Sequence, residues 1–279
     1  MENSSTGLED YVLGRDLYGS VRLDAQHLLW TLHNGYTLNP KIPISPGMKI
    51  AEIGTGTGLW LLDLAEHLPK TIQLDGYDIS SSQYPSEAVL ADNISLNVLD
   101  AFGDIPPHLA GKYDVVHLRF WCCVVKGDDP SLLIRHAMNL LKPGGYIQWE
   151  EAHLGRNFIN GTVAEEFERI AKTIFTDANI IFNWVGEIDK YAEAVGLEVI
   201  DCATSAFRPS LVPLCTNTYL SGHVELLQAI PKLKGGQLSI LNEKECRQLL
   251  FDLFAETKKG AIYHWPPVAL LARKPSSNN

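Results

Sequence analysis

Basic residues are scarce in this 279-residue chain: 23 Lys and Arg stand against 33 Asp and Glu, a formal net charge of −10. No basic run exceeds two residues, Lys258–Lys259 being typical. A surface that tracks phosphates needs an excess of cations, so no nucleic-acid partner is expected. Long apolar runs are lacking too. Nothing approaches the roughly 20 consecutive apolar residues that span a bilayer, and Met1 to Asp10 is polar and acidic, without the apolar heart of a secretory signal. The five cysteines (Cys122, Cys123, Cys202, Cys215, Cys246) are few and scattered, with no metal-ligand spacing. We therefore expect buried reduced thiols, no metal, no membrane span and a soluble cytoplasmic protein. Repeats and low-complexity segments are also absent. What is present is ordinary globular composition, 46% apolar and 20% charged, in a chain long enough to bury a substantial core.

Helical spacing of Leu23, Leu28, Leu29 and Leu32 predicts a helix over Arg22 to Gly35. A Pro-rich stretch, Asn39 to Gly47, separates this helix from the rest of the chain. From Met48 strands and helices alternate: strands at Lys49–Ile53, Ile72–Ile79, Asn93–Val98, Tyr113–Leu118 and Tyr146–Trp149, with helices at Gly58–His67 and Ser131–Leu141. That alternation implies a mainly parallel sheet with helices on both faces. Beyond Glu151, helices are expected over Val163–Asn179, Gly186–Val195, Thr216–Ile230 and Asn242–Lys259, and a strand over Leu197–Ala203. A last strand, Ala261–Ala272, is interrupted by Pro266-Pro267, which suits an edge or a bend. The domain reading is a helical lid over 1–47, a sheet domain over 48–274 with a helical cap insertion at about 207–234, and a disordered tail, 275–279.

The chemistry begins at Ala51-Glu52-Ile53-Gly54-Thr55-Gly56-Thr57-Gly58-Leu59, where a strand runs into three alternate glycines and then into a helix. Without Cβ atoms the loop turns tightly and lets a ligand lie on its backbone near a helix N-terminus. Asp78 lies 20 residues beyond Gly58, at the end of the next strand, where an acidic side chain accepts hydrogen bonds from ribose hydroxyls. A nicotinamide fingerprint, Gly-x-Gly-x-x-Gly, would put Leu59 at the third glycine, so this loop departs from it. It resembles instead the Glu/Asp-x-Gly-x-Gly-x-Gly loop of class I methyltransferases. Their donor, S-adenosylmethionine, carries an ammonium and a sulfonium and no phosphate, which a carboxylate suits.

The resemblance extends along most of the chain. Tyr11-Val12-Leu13-Gly14-Arg15-Asp16, Arg22-Leu23-Asp24-Ala25-Gln26-His27, Tyr113 to Arg119 and Lys142 to Glu151 are similar to the motifs of a large fungal methyltransferase family of secondary metabolism. It implies a Rossmann-like α/β fold with a seven-stranded, mainly parallel sheet. It also implies S-adenosyl-L-methionine as cofactor, S-adenosyl-L-homocysteine as product, and a small hydrophobic acceptor methylated at N, O or S by in-line displacement. Under it, Glu52, Gly54, Thr55 and Gly56 line the methionine and ribose portion. Asp78 holds the ribose diol, Ile79 meets the adenine, Asp100 and Ala101 meet the adenine edge, and Arg119 flanks the methionine. The alternative keeps the binding and drops the transfer: a non-methylating protein, cyclase-like or regulatory.

Methyl transfer from a sulfonium needs positioning and desolvation, and an acceptor of high pKa also needs a base. No motif fixes that base. His153, just beyond the fifth strand at the carboxyl edge of the sheet, is the preferred candidate, and His27 the second. Tyr18, Arg22 and Trp30 on the lid and Trp121 at the cleft mouth are candidate substrate contacts; His117, in an apolar strand, reads as structural. Apolar residues from Leu211 to Leu227 suggest a cap over an apolar acceptor, a dimer contact or a core helix, and a homodimer stays open.

Overall fold

In the computed structural model, residues 13–229 and 243–276 are described. A seven-stranded sheet carries the molecule. Its strands are β1 (Lys49–Ile53), β2 (Gln73–Asp78), β3 (Ile94–Val98), β4 (Tyr113–Arg119), β5 (Leu141–Ala152), β7 (Glu198–Thr204) and β9 (Pro267–Arg273). They lie in the order β3-β2-β1-β4-β5-β9-β7. The pairs among β1 to β5 are parallel, whereas β9 runs antiparallel to both β5 and β7. β4 is buried almost throughout because helices cover both faces of a parallel sheet. Two apolar layers result. One packs Trp60, Leu61 and Leu64 of helix α2 (Leu59–His67) against Ile50, Leu74 and Val115. The other packs Ile134 and Ala137 of α3 (Ser131–Leu140) and Ile188 and Ala192 of α5 (Ile188–Ala194) against Val116, Leu118 and Ile147.

Helix α1 (Leu17–Asn34) begins about a turn before the expected Arg22. The reason is a cap: the Asp16 carboxylate accepts the Gly19 N–H at 3.0 Å. Gly35 closes the helix in the left-handed region, as its place in the sequence suggests. β5 is longer than Tyr146–Trp149 and includes Glu150 and Glu151, since β9 zips along it from Tyr146 to Ala152. The expected strand Ala261–Ala272 divides at Trp265-Pro266. Its first piece, β8 (Ile262–His264), pairs with an unforeseen β6 (Phe158–Asn160); its second, β9, lies inside the sheet and not at an edge. Pro267 is tolerated there as the first residue of its strand.

The stretch expected as a cap, 207–234, packs with other parts of the chain. A core of its own joins Phe167, Ile170 and Ile174 of α4 (Thr162–Asp177), Leu220, Leu226 and Leu227 of α6 (Val212–Ala229), Leu253 of α7 (Glu243–Thr257) and Tyr263 of β8. Residues 230–234 of the expected cap, residues 277–279 of the expected tail, Tyr11 and Val12 of the N-terminal motif, and Asn242 at the start of the expected last helix lie outside the described residues. Among the described residues, no helix is long and apolar enough to cross a membrane.

Candidate active site

The sheet order reverses between β1 and β4, and the crevice outside the carboxyl ends of such strands is where open α/β sheets bind ligands. A cavity of about 580 Å3 lies there. Gly54, Gly56, Asp78, Ile79, Asp100, Ala101 and Arg119 all face it, so seven of the nine cofactor candidates that the resemblance implies come together. Gly54 and Gly56 have φ of 75° and 56°, and a Cβ on them would stand 2.8 Å from Trp121 and 2.9 Å from Leu23. Only glycine leaves both the backbone angle and the space. The Gly54 and Thr55 N–H groups donate to the Tyr77 carbonyl. Gly56 N–H donates to Asp78 Oδ2 at 2.9 Å and Ser80 N–H to Oδ1 at 3.1 Å. Burial pushes the Asp78 carboxyl up, against those two donors.

Glu52 and Thr55 are the two exceptions, placed beneath the loop and not on the cavity wall. Thr55 donates its hydroxyl to Glu52 Oε2 at 2.6 Å, and His117 Nδ1 stands 3.1 Å from Oε1. The carboxylate is thereby turned inward. His117 is structural as expected: it is fully buried, stacked on Trp60 at 3.9 Å, and flanked on its other nitrogen by Glu150 at 3.4 Å. Burial alone would raise Glu150, but the Arg119 guanidinium and the His117 hydrogen bond outweigh it and hold the carboxyl at about 2. Arg119 is held by Glu150 at 2.8 Å, and its Nη1 donates to His27 Nδ1 at 3.2 Å.

That last bond removes His27 as a base. Arginine has only donors, so Nδ1 must be the accepting nitrogen and Nε2–H donates to Asp63 at 3.1 Å. The lone pair a base would need is engaged, and His27 is not on the cavity wall. His153 is buried away from the cavity against Gly186, because β5 carries it past the mouth into the packing under the Asn183–Glu187 turn. Tyr18 is 75% exposed and off the wall. Trp30 sits one layer behind it, its ring 5.6 Å from that of Trp265. Trp121 does line the cavity, with its indole N–H donating to the Ile53 carbonyl and its backbone N–H to Glu151. Arg22 also reaches the wall, in a buried pair with Glu225.

Phe120, Trp121, Phe175, Tyr219 and Trp265 give the same cavity an aromatic wall, its aromatic chamber. Helix α6 presents Tyr219, Gly222, His223 and Leu226 to it, one helical stripe. His223 is a residue that the sequence reading missed. It is 4% exposed, and burial pushes its pKa down to about 4. Facing it are the Phe167, Tyr219 and Tyr263 rings and the Tyr219 carbonyl, with Glu168 behind the two phenols. An unfolded histidine protonates near pH 6.5, and the folded one resists until about 4. The unfolded state thus binds more protons in that window, and stability must fall as pH drops through it. His27, His33, His136, His153 and His264 are lowered by burial as well and act in the same direction. Thermal unfolding should therefore show Tm decreasing steadily from pH 6.5 to 4.5; a flat profile would contradict this.

A family profile described as a methyltransferase domain matches residues 35–201. Over 139 residues the chain is 38% identical to the methyltransferase grgD of a Penicillium species, covering 47% of this chain and 48% of that one. It is 32% identical over 136 residues to the N-methyltransferase tcpN of Claviceps purpurea, covering 48% of each. The matches thus span about half the length of these curated relatives. Among solved structures, phosphoethanolamine N-methyltransferase 2 of Haemonchus contortus, in complex with phosphomonomethylethanolamine and S-adenosylhomocysteine, shares the fold. Its TM-score is 0.57 at 17% identity, over 96% of this chain and 60% of that one.

Proposed function

The chain belongs to the methyltransferase domain family, and from that premise we propose that it transfers a methyl group from S-adenosyl-L-methionine to a small, hydrophobic secondary metabolite. One observation carries the reading: Asp78 braces Gly56 at the β1–α2 turn, in a cavity that aromatic side chains also line. The residues present fit the cofactor. Gly54 and Gly56 bring the main chain to the cavity wall at angles that favour glycine, Asp78 offers a half-buried carboxylate for a ribose diol, and Asp100 and Ala101 line the same cavity. When bound there, the cofactor supplies an activated methyl on a sulfonium. The protein's part is to orient the acceptor on aromatic faces and to keep water out. Arg119, tied to Glu150 and His27, gives the cavity wall a fixed cation.

Support for nitrogen as the accepting atom comes from tcpN, named an N-methyltransferase. The test is calorimetric and then chemical. S-adenosylhomocysteine should bind at one site per chain and NAD should not. S-adenosylmethionine with N–H and O–H acceptors of hydrophobic, aromatic type should then yield S-adenosylhomocysteine. Binding without turnover across such a panel would favour a non-methylating protein, and binding of NAD alone would overturn the reading.

A further inference from the structure

We infer that His223 is the hydrogen-bond acceptor and general base of the acceptor chamber, and that the acceptor is a neutral aromatic compound presenting an O–H or N–H group. This rests on the methyltransferase reading above and deepens it. His223 Nδ1 lies 2.7 Å from the carbonyl of Tyr219, one turn back in the same helix. A carbonyl only accepts, so Nδ1 carries the hydrogen and Nε2 keeps the lone pair. Nε2 is buried and has no hydrogen-bonding partner among the described residues. A buried nitrogen left without a partner costs free energy comparable to a lost hydrogen bond. His223 stands mid-stripe on the helix face that lines the chamber, with Nδ1 turned back toward its own helix. The rings of Tyr219 and Phe167, at 4.1 and 4.3 Å, fix its plane. An incoming donor would satisfy what the fold leaves open.

The chemistry selects the substrate class. The chamber stacks flat rings, and its base is weak and neutral at physiological pH. Such a base cannot strip an aliphatic ammonium, which arrives already charged. It can hold the hydrogen of a phenol, aniline or ring amide in place. It then takes the proton late, when the new bond to carbon makes the heteroatom strongly acidic. In that step the carbon–heteroatom bond forms as the carbon–sulfur bond breaks. The proton leaves the heteroatom for Nε2, so the positive charge passes from sulfonium to imidazolium.

The experiment measures binding of 2-naphthol and 2-methoxynaphthalene to the protein saturated with S-adenosylhomocysteine. The two probes share a ring system, and only the first has a donor. Wild type should prefer 2-naphthol by about tenfold, the worth of one well-made buried hydrogen bond. In His223→Phe the preference should collapse to about one, with S-adenosylhomocysteine affinity unchanged. His223→Leu serves the same purpose should the larger ring disturb the cap, and His223→Gln, which keeps an accepting oxygen, should restore much of the preference. Equal discrimination in wild type and the Phe and Leu variants, or none in wild type, overturns the assignment while leaving the methyltransferase reading intact. Failure of wild type to bind S-adenosylhomocysteine overturns both.

Discussion

Glu225→Ala should cost roughly 3–5 kcal/mol of stability, because it strips the carboxylate from a guanidinium that folding has taken out of water. Arg22 and Glu225 are 3% and 5% exposed in their side chains and meet in a fork, Nε to Oε1 at 2.7 Å and Nη2 to Oε2 at 3.2 Å. The same carboxylate accepts the Gly14 N–H at 2.9 Å. One change therefore releases α1 from α6 and loosens the strand of chain leading into α1. In a domain of this size a loss of that order lowers Tm by about 6–20 °C. The companion variant separates charge from packing: Arg22→Met with Glu225→Leu removes both ions and keeps the volume, and most of the stability should return. Urea unfolding of the three proteins decides it. A single variant within about 1 kcal/mol of wild type would mean that solvent reaches the pair.

Asp78→Asn should weaken S-adenosylhomocysteine binding by roughly a hundredfold, from loss of charge-assisted hydrogen bonds. The substitution preserves shape and changes what the group can accept. In the native loop both oxygens already take a backbone donor, Gly56 on one and Ser80 on the other. An amide has a single accepting oxygen, so one of these N–H groups must face an NH2. The effect thus has two sources, a weaker grip on a diol and a glycine turn that no longer holds its shape. Calorimetric titration of wild type and variant measures the sum, and hydrogen exchange at Gly56 reports the second part. An affinity within threefold of wild type would place the ribose elsewhere.

The glycine-loop half of the candidate site is legible in the sequence because it is local. Three glycines, a strand end and an aspartate a fixed distance on belong to one strand–helix–strand unit, and backbone geometry leaves them little choice. Glu52 shows where that reasoning stops. Its place in the motif is right, but its direction depends on Thr55 and on His117, a strand away. The chamber is legible only in part, at Trp121 and in the cap stretch that holds Tyr219: Phe120, Phe175, His223 and Trp265 come from four separate stretches of chain and look like ordinary core residues in each. One signal does exist. His223 is the polar member of an otherwise apolar or small stripe with Tyr219, Gly222 and Leu226, and a lone imidazole on such a face invites the question of what it meets. The histidines that the sequence favours, His27 and His153, sit near the right strands. Arg119 takes the lone pair of the first, and packing against Gly186 encloses the second.

The position of β9 also bears on how the molecule is made. Because β9 lies between β5 and β7, neither neighbour has its inner edge satisfied until that late segment emerges from the ribosome. The nascent chain therefore carries two open strand edges, one of them the largely buried, twelve-residue β5, until Pro267–Arg273 has been made. Such edges are templates for pairing with other chains. Truncation just before Pro267 should accordingly yield aggregate, and slower translation in a heterologous host, which lengthens the exposure of these edges, should deepen chaperone dependence.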